Sequence, residues 1–170
     1  MFDWLAAHAP LWNQLTYRRR HAYFADDADV WEVEYTDLYD EYAPILGKAT
    51  CQQVARKNSE AWRSHFRLLE TYHDDTESPV TEKPEPPGYW GNRTDGYELH
   101  GLVRNDLYSF DWDEDRSVVE FGVGDVLEDR YDFDHNERVT LEVNGDPRWQ
   151  GDESRLELIY DEAANVLRVQ

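Results

Sequence analysis

Positive charge is concentrated in two short segments of a strongly acidic chain. The 170 residues include 37 acidic and 17 basic side chains, which gives a formal net charge of −20. Residues 17–23 contain three arginines and no acid, and residues 47–73 contain five basic residues against two acidic ones. The rest of the chain therefore carries −26. Because the two clusters oppose the overall composition, they are the first candidates for a site that binds anions.

The second cluster places its polar side chains on one side of a helix, since positions three and four residues apart share a face. The residues with this spacing are Lys48, Gln52, Arg56, Ser59, Arg63 and Arg67. Arginine and lysine neutralise phosphates, and a glutamine amide can read a base edge because it both donates and accepts hydrogen bonds. From the residues alone, the ordinary interpretation is that these cations pair with nearby carboxylates, and phosphate binding is the functional alternative.

Hydrophobic periodicity predicts that the helices which position these clusters fill the first half of the chain. Apolar residues at steps of three and four predict helices over 3–24, 34–43 and 48–72. The second helix is expected to stop at Pro44 and Gly47.

The second half of the chain has the period of two that is typical of strands. The predicted strands cover 99–103, 107–112, 117–121, 138–143, 155–160 and 165–169, with turns at 113–116, 144–147 and 161–165 and a helical turn over 124–130. We therefore predict an α+β fold in three parts. These are a helical bundle over 1–73, a proline-rich linker or surface crossing over 74–95, and a small antiparallel β-barrel of the OB type over 96–170, for which the strand pattern leaves a sandwich as the alternative.

Several classes of chemistry are excluded or disfavoured. A single cysteine, Cys51, rules out an internal disulfide and a CxxC metal knuckle, and its place on an apolar helix face indicates a structural thiol. The six histidines never have HxxxH or HExxH spacing, and the acidic clusters in predicted turns are typical of solvated surface. We expect no metal, no cofactor and no catalytic centre.

The chain has the composition of a protein from a salt-rich cytoplasm. It contains 14 arginines but only three lysines beside its excess of acids, which is typical of halophilic adaptation. No apolar run is long enough to span a membrane, and residues 1–12 lack the basic and apolar regions of a signal peptide. We therefore expect a cytoplasmic protein.

Three separated segments resemble one family. They are LWNQLTYRRRHAYF (11–24), GKATCQQVARKNSEAWRSHF (47–66) and KPEPPGYWGN (83–92), and the strand segments after them continue the likeness. In this order and spacing they are similar to the N-terminal half of the OrfB/TnpB proteins of insertion sequences, in their haloarchaeal form. Members of that family are known as transposases and are understood as RNA-guided DNA endonucleases. The resemblance implies that the helical half is a recognition lobe and the strand half is a wedge barrel that grips guide RNA.

The resemblance also implies roles for particular residues, with guide RNA and double-stranded DNA as partners. Lys48 and Gln52 match the positions that read a short DNA motif beside the target, while guide pairing reads the sequence. Four residues of the first helix match recurrent positions where contact with a nucleic-acid backbone is expected: Asn13, Arg18, Arg19 and Tyr23. Arg56, Arg63 and Arg67 are added from their shared helix face and not from the family.

The chain departs from the family pattern in two places. It begins inside the first helix rather than with a β-strand, and the family's nuclease domain, with three carboxylates and a zinc ribbon, would follow residue 170. Two-metal cleavage needs carboxylates that hold the ions. We therefore expect no nuclease activity from this polypeptide alone, which leaves room for a separate nuclease or transposase as a partner.

Two other classes of function stay open. The acidic remainder of the chain could imitate a phosphate backbone or dock a partner, which would make it a protein-interaction or DNA-mimic module without nucleic-acid function. A small hydrolase or carbohydrate-binding domain would need two converging carboxylates and a tryptophan platform in one pocket.

Overall fold

The two periodicities of the sequence correspond to four helices and six strands in the computed structural model. It describes residues 2–25, 29–74, 80–91, 98–112, 117–134, 137–144 and 154–170. The helices are α1 (Phe2–Ala25), α2 (Thr36–Leu46), α3 (Lys48–Asp74) and α4 (Asp125–Tyr131). The strands are β1 (Glu98–Val103), β2 (Tyr108–Asp111), β3 (Ser117–Phe121), β4 (Val139–Val143), β5 (Leu156–Asp161) and β6 (Val166–Val169). Every predicted helix and strand is present, with ends within three residues of those predicted.

The first helix, α1, is the central helix of the fold and packs against α2, α3 and β1. It therefore buries side chains around much of its circumference rather than along one stripe. The buried residues of α1 are Trp4, Leu5, His8, Ala9, Leu11, Trp12, Leu15, Thr16, Arg19 and Ala22. Pro10 lies inside this helix, but Pro10 and Ala6 are both exposed. Water can thus reach the Ala6 carbonyl that Pro10 leaves without a donor.

The predicted stop of α2 is confirmed at Gly47 but was wrong at Pro44, because the helix continues through Pro44 to Leu46. Pro44 has no N–H to donate to the Asp40 carbonyl. Both residues are exposed, so water can replace the missing donor. The helix ends at Gly47, whose φ of 82° lies in the left-handed region that favours glycine. The Gly47 N–H donates to the Ala43 carbonyl at 2.8 Å and closes the last turn.

The α+β class is confirmed, but the predicted barrel was wrong for the described residues. The strands form two separate antiparallel sheets, with orders β1-β5-β6 and β2-β3-β4. Both arrangements need the same alternation of apolar and polar residues, so a period of two cannot tell them apart. The helices cover the apolar faces here, since Leu102 and Leu158 of one sheet and Phe121 of the other share a single core with α1 and α2.

A glycine allows α1 to lie directly on β1. A Cβ atom at Gly101 would come within 2.5 Å of the Trp4 ring, so only glycine fits this crossing without a shift. The Trp4 ring also packs on Phe121 of β3, with ring centroids 5.0 Å apart. The first turns of α1 thereby contact both sheets.

The described part of the proline-rich segment, residues 80–91, crosses the surface without regular secondary structure. The Trp12 ring stacks on Trp90 at 4.2 Å between centroids, and Trp12 Nε1 donates to the Gly88 carbonyl at 2.9 Å. Arg20 donates to the carbonyls of the two neighbouring prolines, Pro86 and Pro87, at 3.1 Å. The segment is therefore fixed to α1, and the division into domains at 74–95 stays a prediction.

The described residues also include one of the predicted turns and all four helices. The predicted turn over 161–165 is confirmed by a turn at residues 162–165, whereas 113–116 and 145–147 lie outside the described residues. No helix in the described ranges is long and apolar enough to cross a bilayer.

Candidate nucleic-acid interface

Helix α3 has one buried face and one exposed polar face. It extends over 27 residues without glycine or proline, which removes the usual interruptions of a helix. The buried face includes Cys51, Val54, Ala55 and Trp62. The exposed face carries what we call the α3 stripe, which consists of Lys48, Gln52, Arg56, Arg63 and Arg67. The predicted arrangement along one exposed side of the helix is therefore confirmed for these five residues, whereas Ser59 is half-buried and donates to the Ala55 carbonyl at 2.9 Å.

The cations of the α3 stripe form no ion pair with any residue that the structure describes, although acids outnumber bases by 37 to 17. The cations that do pair with carboxylates lie elsewhere: Arg18, Lys57, Arg104, Arg130, Arg155 and Arg168. Within the stripe, Arg63 packs over the Trp31 ring at 5.6 Å from its centroid. Among the described residues, the stripe thus lacks the carboxylate pairing that composition alone favours.

The arginines of α1 differ from the stripe cations, because they form hydrogen bonds or ion pairs with other groups of this chain. Arg18 forms a two-pronged ion pair with Asp37, at 2.7 and 2.6 Å. Arg19 is buried, and its Nη1 donates to Asn58 Oδ1 at 2.7 Å, while Asn58 Nδ2 donates to Thr16 Oγ1 at 2.9 Å. Burial lowers the pKa of Arg19. This polar cluster between α1 and α3 was missed in the sequence, because Asn58 is 39 residues from Arg19 and nothing local links it to α1.

Asn13 and Tyr23, the other two candidates on α1, also contact this chain. The Asn13 side chain donates to the Trp90 carbonyl at 3.0 Å and accepts from the Trp90 N–H at 2.8 Å. Tyr23 is half-buried against Trp62 and His65, with centroid distances of 5.5 Å. Arg19 lies beside the α3 stripe, because it packs over the same Trp31 ring as Arg63, at 5.7 Å from the ring centroid. Contact of the α1 candidates with a nucleic-acid backbone stays a prediction.

A cleft of about 300 Å³ opens where α3 meets the ends of β1 and β5. Its lining includes Arg56, Glu60, Arg104, Asn105, Ser154 and Arg155. Arg56 belongs to the α3 stripe, whereas Arg104 directly follows β1 and Arg155 directly precedes β5. The latter two were missed in the sequence because each stands far from α3 and close to acidic residues. Their only sequence signal was a basic residue at the end of a predicted strand.

Ion pairs hold two of the three arginines of this cleft, Arg104 and Arg155, in place. Arg155 donates from Nη1 to Glu60 at 2.7 Å and from Nε to Glu157 at 3.0 Å, and Lys57 donates to the same Glu157 at 2.6 Å. Arg104 donates to both oxygens of Asp106, at 2.5 and 2.7 Å. The pKa of Asp106 is lowered, chiefly by the hydrogen bond from Arg104, with a smaller contribution from the charge of Arg56.

Two buried titratable groups have structural roles. Cys51 is fully buried in the core, as expected for a structural thiol, and this burial raises its pKa to about 11. Burial lowers the pKa of His8 to about 4. The Leu102 N–H donates to His8 Nε2 at 3.1 Å, so the ring proton is on Nδ1, which donates to the Trp4 carbonyl at 2.9 Å. His8 therefore ties α1 to β1 in its neutral form.

The alternative sites of the sequence have little support in the described part of the chain. No group of three or more His, Cys, Asp or Glu residues there is arranged to hold a metal ion. A cavity of about 400 Å³ beside Trp12, Tyr89 and Trp90 has one acidic residue in its lining, Glu85. A sugar hydrolase of the usual kind needs two carboxylates, so this cavity lacks the pair.

Comparison with known proteins agrees with the resemblance that the sequence motifs indicated. No family model matches the chain. Over 159 residues the chain is 30% identical to "TnpB-like protein ORF457" of Acidianus two-tailed virus. The match covers 93% of this chain and 31% of that protein, so the chain spans about a third of the length of the curated relative it matches. Nearly the whole of this polypeptide is therefore similar to one part of a TnpB-like protein.

Proposed function

We propose that this chain is a recognition module of a transposon-encoded, RNA-guided DNA endonuclease of the TnpB kind, and that it binds double-stranded DNA and guide RNA. The observation that carries the proposal is the α3 stripe, whose cations are exposed and unpaired with described acids in a chain of charge −20. Cations without a carboxylate partner are available to neutralise phosphates. The similarity to a TnpB-like protein supports the same assignment.

Helix α3 is the element that would approach the DNA duplex. From Lys48 to Arg67 the stripe is about 28 Å long at 1.5 Å per residue. The major groove admits a helix and is about 12 Å wide, so a helix of this length also reaches the phosphates that flank the groove. We assign the reading of base edges to Lys48 and Gln52. The later arginines of the stripe then contact phosphates, which position the protein without reading sequence.

The proposal assigns guide RNA to the strand half, on the resemblance that the sequence motifs carry. It assigns no cleavage chemistry to this polypeptide, so cutting of DNA would need a separate nuclease or transposase. A haloarchaeal setting and a cytoplasmic location belong to the same proposal. In that setting, contacts should favour arginine forks over loose lysine attraction, because phosphate attraction weakens steeply with salt.

The first experiment is to purify the protein from cells at molar salt and to sequence the RNA that accompanies it. A discrete RNA that ends at a transposon boundary is the expected result. A preparation free of RNA would contradict guide binding and would favour the acidic protein-interaction module instead. The variant Arg130→Gln serves as a control, because it removes one positive charge from α4, far from the α3 stripe in the chain.

The second experiment separates base reading from phosphate contact on a library of DNA duplexes. Gln52→Ala should weaken binding to one short motif by roughly tenfold while it leaves other sequences unchanged, because one good base contact contributes about 1–3 kcal/mol. Arg67→Gln should weaken binding to every sequence alike. Equal losses on every sequence for both variants would contradict the assignment of base reading to Gln52.

A further inference from the structure

Three arginines line the cleft between α3 and the ends of β1 and β5. Arg56, Arg104 and Arg155 line it together with a single acidic residue, Glu60. Its volume of about 300 Å³ corresponds to about ten water molecules at roughly 30 Å³ each, which is enough for a phosphate group and its hydration. The excess of arginine in the lining opposes the acidic composition of the chain, as the α3 stripe does.

Each arginine of the cleft has donors left over from its described bonds. Arg155 uses Nε and Nη1 for Glu157 and Glu60, and Arg104 uses Nε and Nη2 for Asp106. A guanidinium carries five N–H groups. Within the described residues, Nη2 of Arg155, Nη1 of Arg104 and the whole Arg56 guanidinium are therefore available to a ligand.

The ion pairs of Arg104 and Arg155 orient these spare donors. Arg104 donates two N–H groups to Asp106, and Arg155 donates one to Glu157 and one to Glu60. Two such bonds fix the plane of a guanidinium, which then loses less freedom when it binds an anion. The side chains of Arg104 and Arg155 are only 28% and 25% exposed. Partial removal from water strengthens the attraction of a guanidinium for an anion.

We propose that this cleft binds a phosphate group through Arg56, Arg104 and Arg155, with Asn105 and Ser154 as neutral polar partners. The identity of that phosphate as a nucleic-acid phosphodiester rests on the proposed function. Arg56 belongs both to the α3 stripe and to the cleft, so a strand that follows the stripe reaches the cleft without a break. The helical and strand halves then hold the same strand from two sides.

The cleft is tested without any nucleic acid by titrating the folded protein with pyrophosphate. The Nε–H signals of its arginines are followed by nuclear magnetic resonance. Signals of Arg56, Arg104 and Arg155 should shift together and saturate with one dissociation constant, while the signal of Arg130 stays in place. Arg104→Gln should weaken that binding about tenfold, the loss expected for one charge-assisted contact. Signals that do not move, or that move alike for all arginines, would overturn the phosphate cleft.

A salt titration with a single-stranded RNA of 20 nucleotides tests whether the phosphate belongs to a nucleic acid. Loss of one phosphate contact in Arg104→Gln should lower the slope of log affinity against log salt by about 0.7, and Arg130→Gln should not change it. Wild-type protein that binds pyrophosphate in the cleft but no nucleic acid would overturn the proposed function and leave the cleft standing. Wild-type protein that binds RNA with an unchanged slope in Arg104→Gln would overturn the cleft alone.

Discussion

Helices α1 and α3 each contain a segment with a surplus of three positive charges, yet the fold treats the two segments in opposite ways. Arg18 and Arg19 of α1 are engaged by Asp37 and by Asn58. The stripe cations of α3 are exposed and form no ion pair within the described residues. The cause is the direction in which the charges lie, because both helices pack against two other helices and β1. Arg19 lies on a packed side of α1, whereas the stripe lies on the side of α3 that faces solvent. A charge cluster therefore predicts a binding surface only where its own side of the helix is exposed.

The largest expected effect is the pH dependence of the unfolding free energy that His8 of α1 causes. His8 is neutral in the core with a pKa of about 4, below the 6.5 of the unfolded chain. Between these two pH values the unfolded state therefore binds a proton at His8 that the folded state does not bind. As a result, the contribution of His8 to the unfolding free energy is complete above pH 6.5 and decreases as the pH is lowered. We expect a loss of about 3 kcal/mol down to pH 4. Urea unfolding at several pH values measures it.

The variant His8→Gln isolates this contribution. Its unfolding free energy should depend less on pH between 4 and 6.5 than that of the wild type, because the titrating group is gone. Should the variant fail to fold, a pH titration of the wild-type protein followed by nuclear magnetic resonance of the His8 ring gives the pKa of His8 directly. A ring that titrates near 6.5 would contradict the buried, neutral histidine.

The next effect is the loss of a buried arginine. Arg19→Ala should lower the unfolding free energy by about 2 kcal/mol, because it leaves the buried side-chain amide oxygen of Asn58, Oδ1, without its donor. The matched variant on the other helix, Arg63→Ala, should change it by no more than about 0.5 kcal/mol, since Arg63 is exposed. Equal losses for the two variants would remove the contrast between the helices.

A smaller effect is expected at the contact between α1 and the proline-rich segment. Asn13→Ala should cost about 1 kcal/mol, because it removes both hydrogen bonds to the backbone of Trp90. Amide exchange at Trp90 should become faster, while exchange in the middle of α3 stays as in the wild type. An unchanged exchange rate at Trp90 would indicate that other contacts suffice to hold the segment.

The smallest effect on stability is expected within the α3 stripe. Arg67→Gln should leave the unfolding free energy within about 0.5 kcal/mol of the wild type. Its binding to duplex DNA should nevertheless weaken, and the slope of log affinity against log salt should fall by about 0.9 for one lost phosphate contact. A stable variant with unchanged affinity would remove Arg67 from the proposed interface.

Local patterns in the sequence were sufficient for the elements and for the faces of α3. Six strands with the predicted positions follow from alternation, and the exposed stripe follows from spacings of three and four. Gly47 ends α2 as predicted, but Pro44 does not, because a proline in the last turn of a helix removes one hydrogen bond that water can replace. The barrel was wrong because alternation specifies which side of a strand is apolar and not what covers that side.

The sequence by itself thus determined where helices and strands lie, which side of α3 is polar, and a likeness to TnpB-like proteins. These properties depend on residues that are close together in the chain or on motifs in a fixed order. Only the tertiary structure decided that Arg19 is buried against Asn58, and that Arg104 and Arg155 join Arg56 at one cleft. Such groupings depend on contacts between distant parts of the chain, and packing rather than local periodicity determines them.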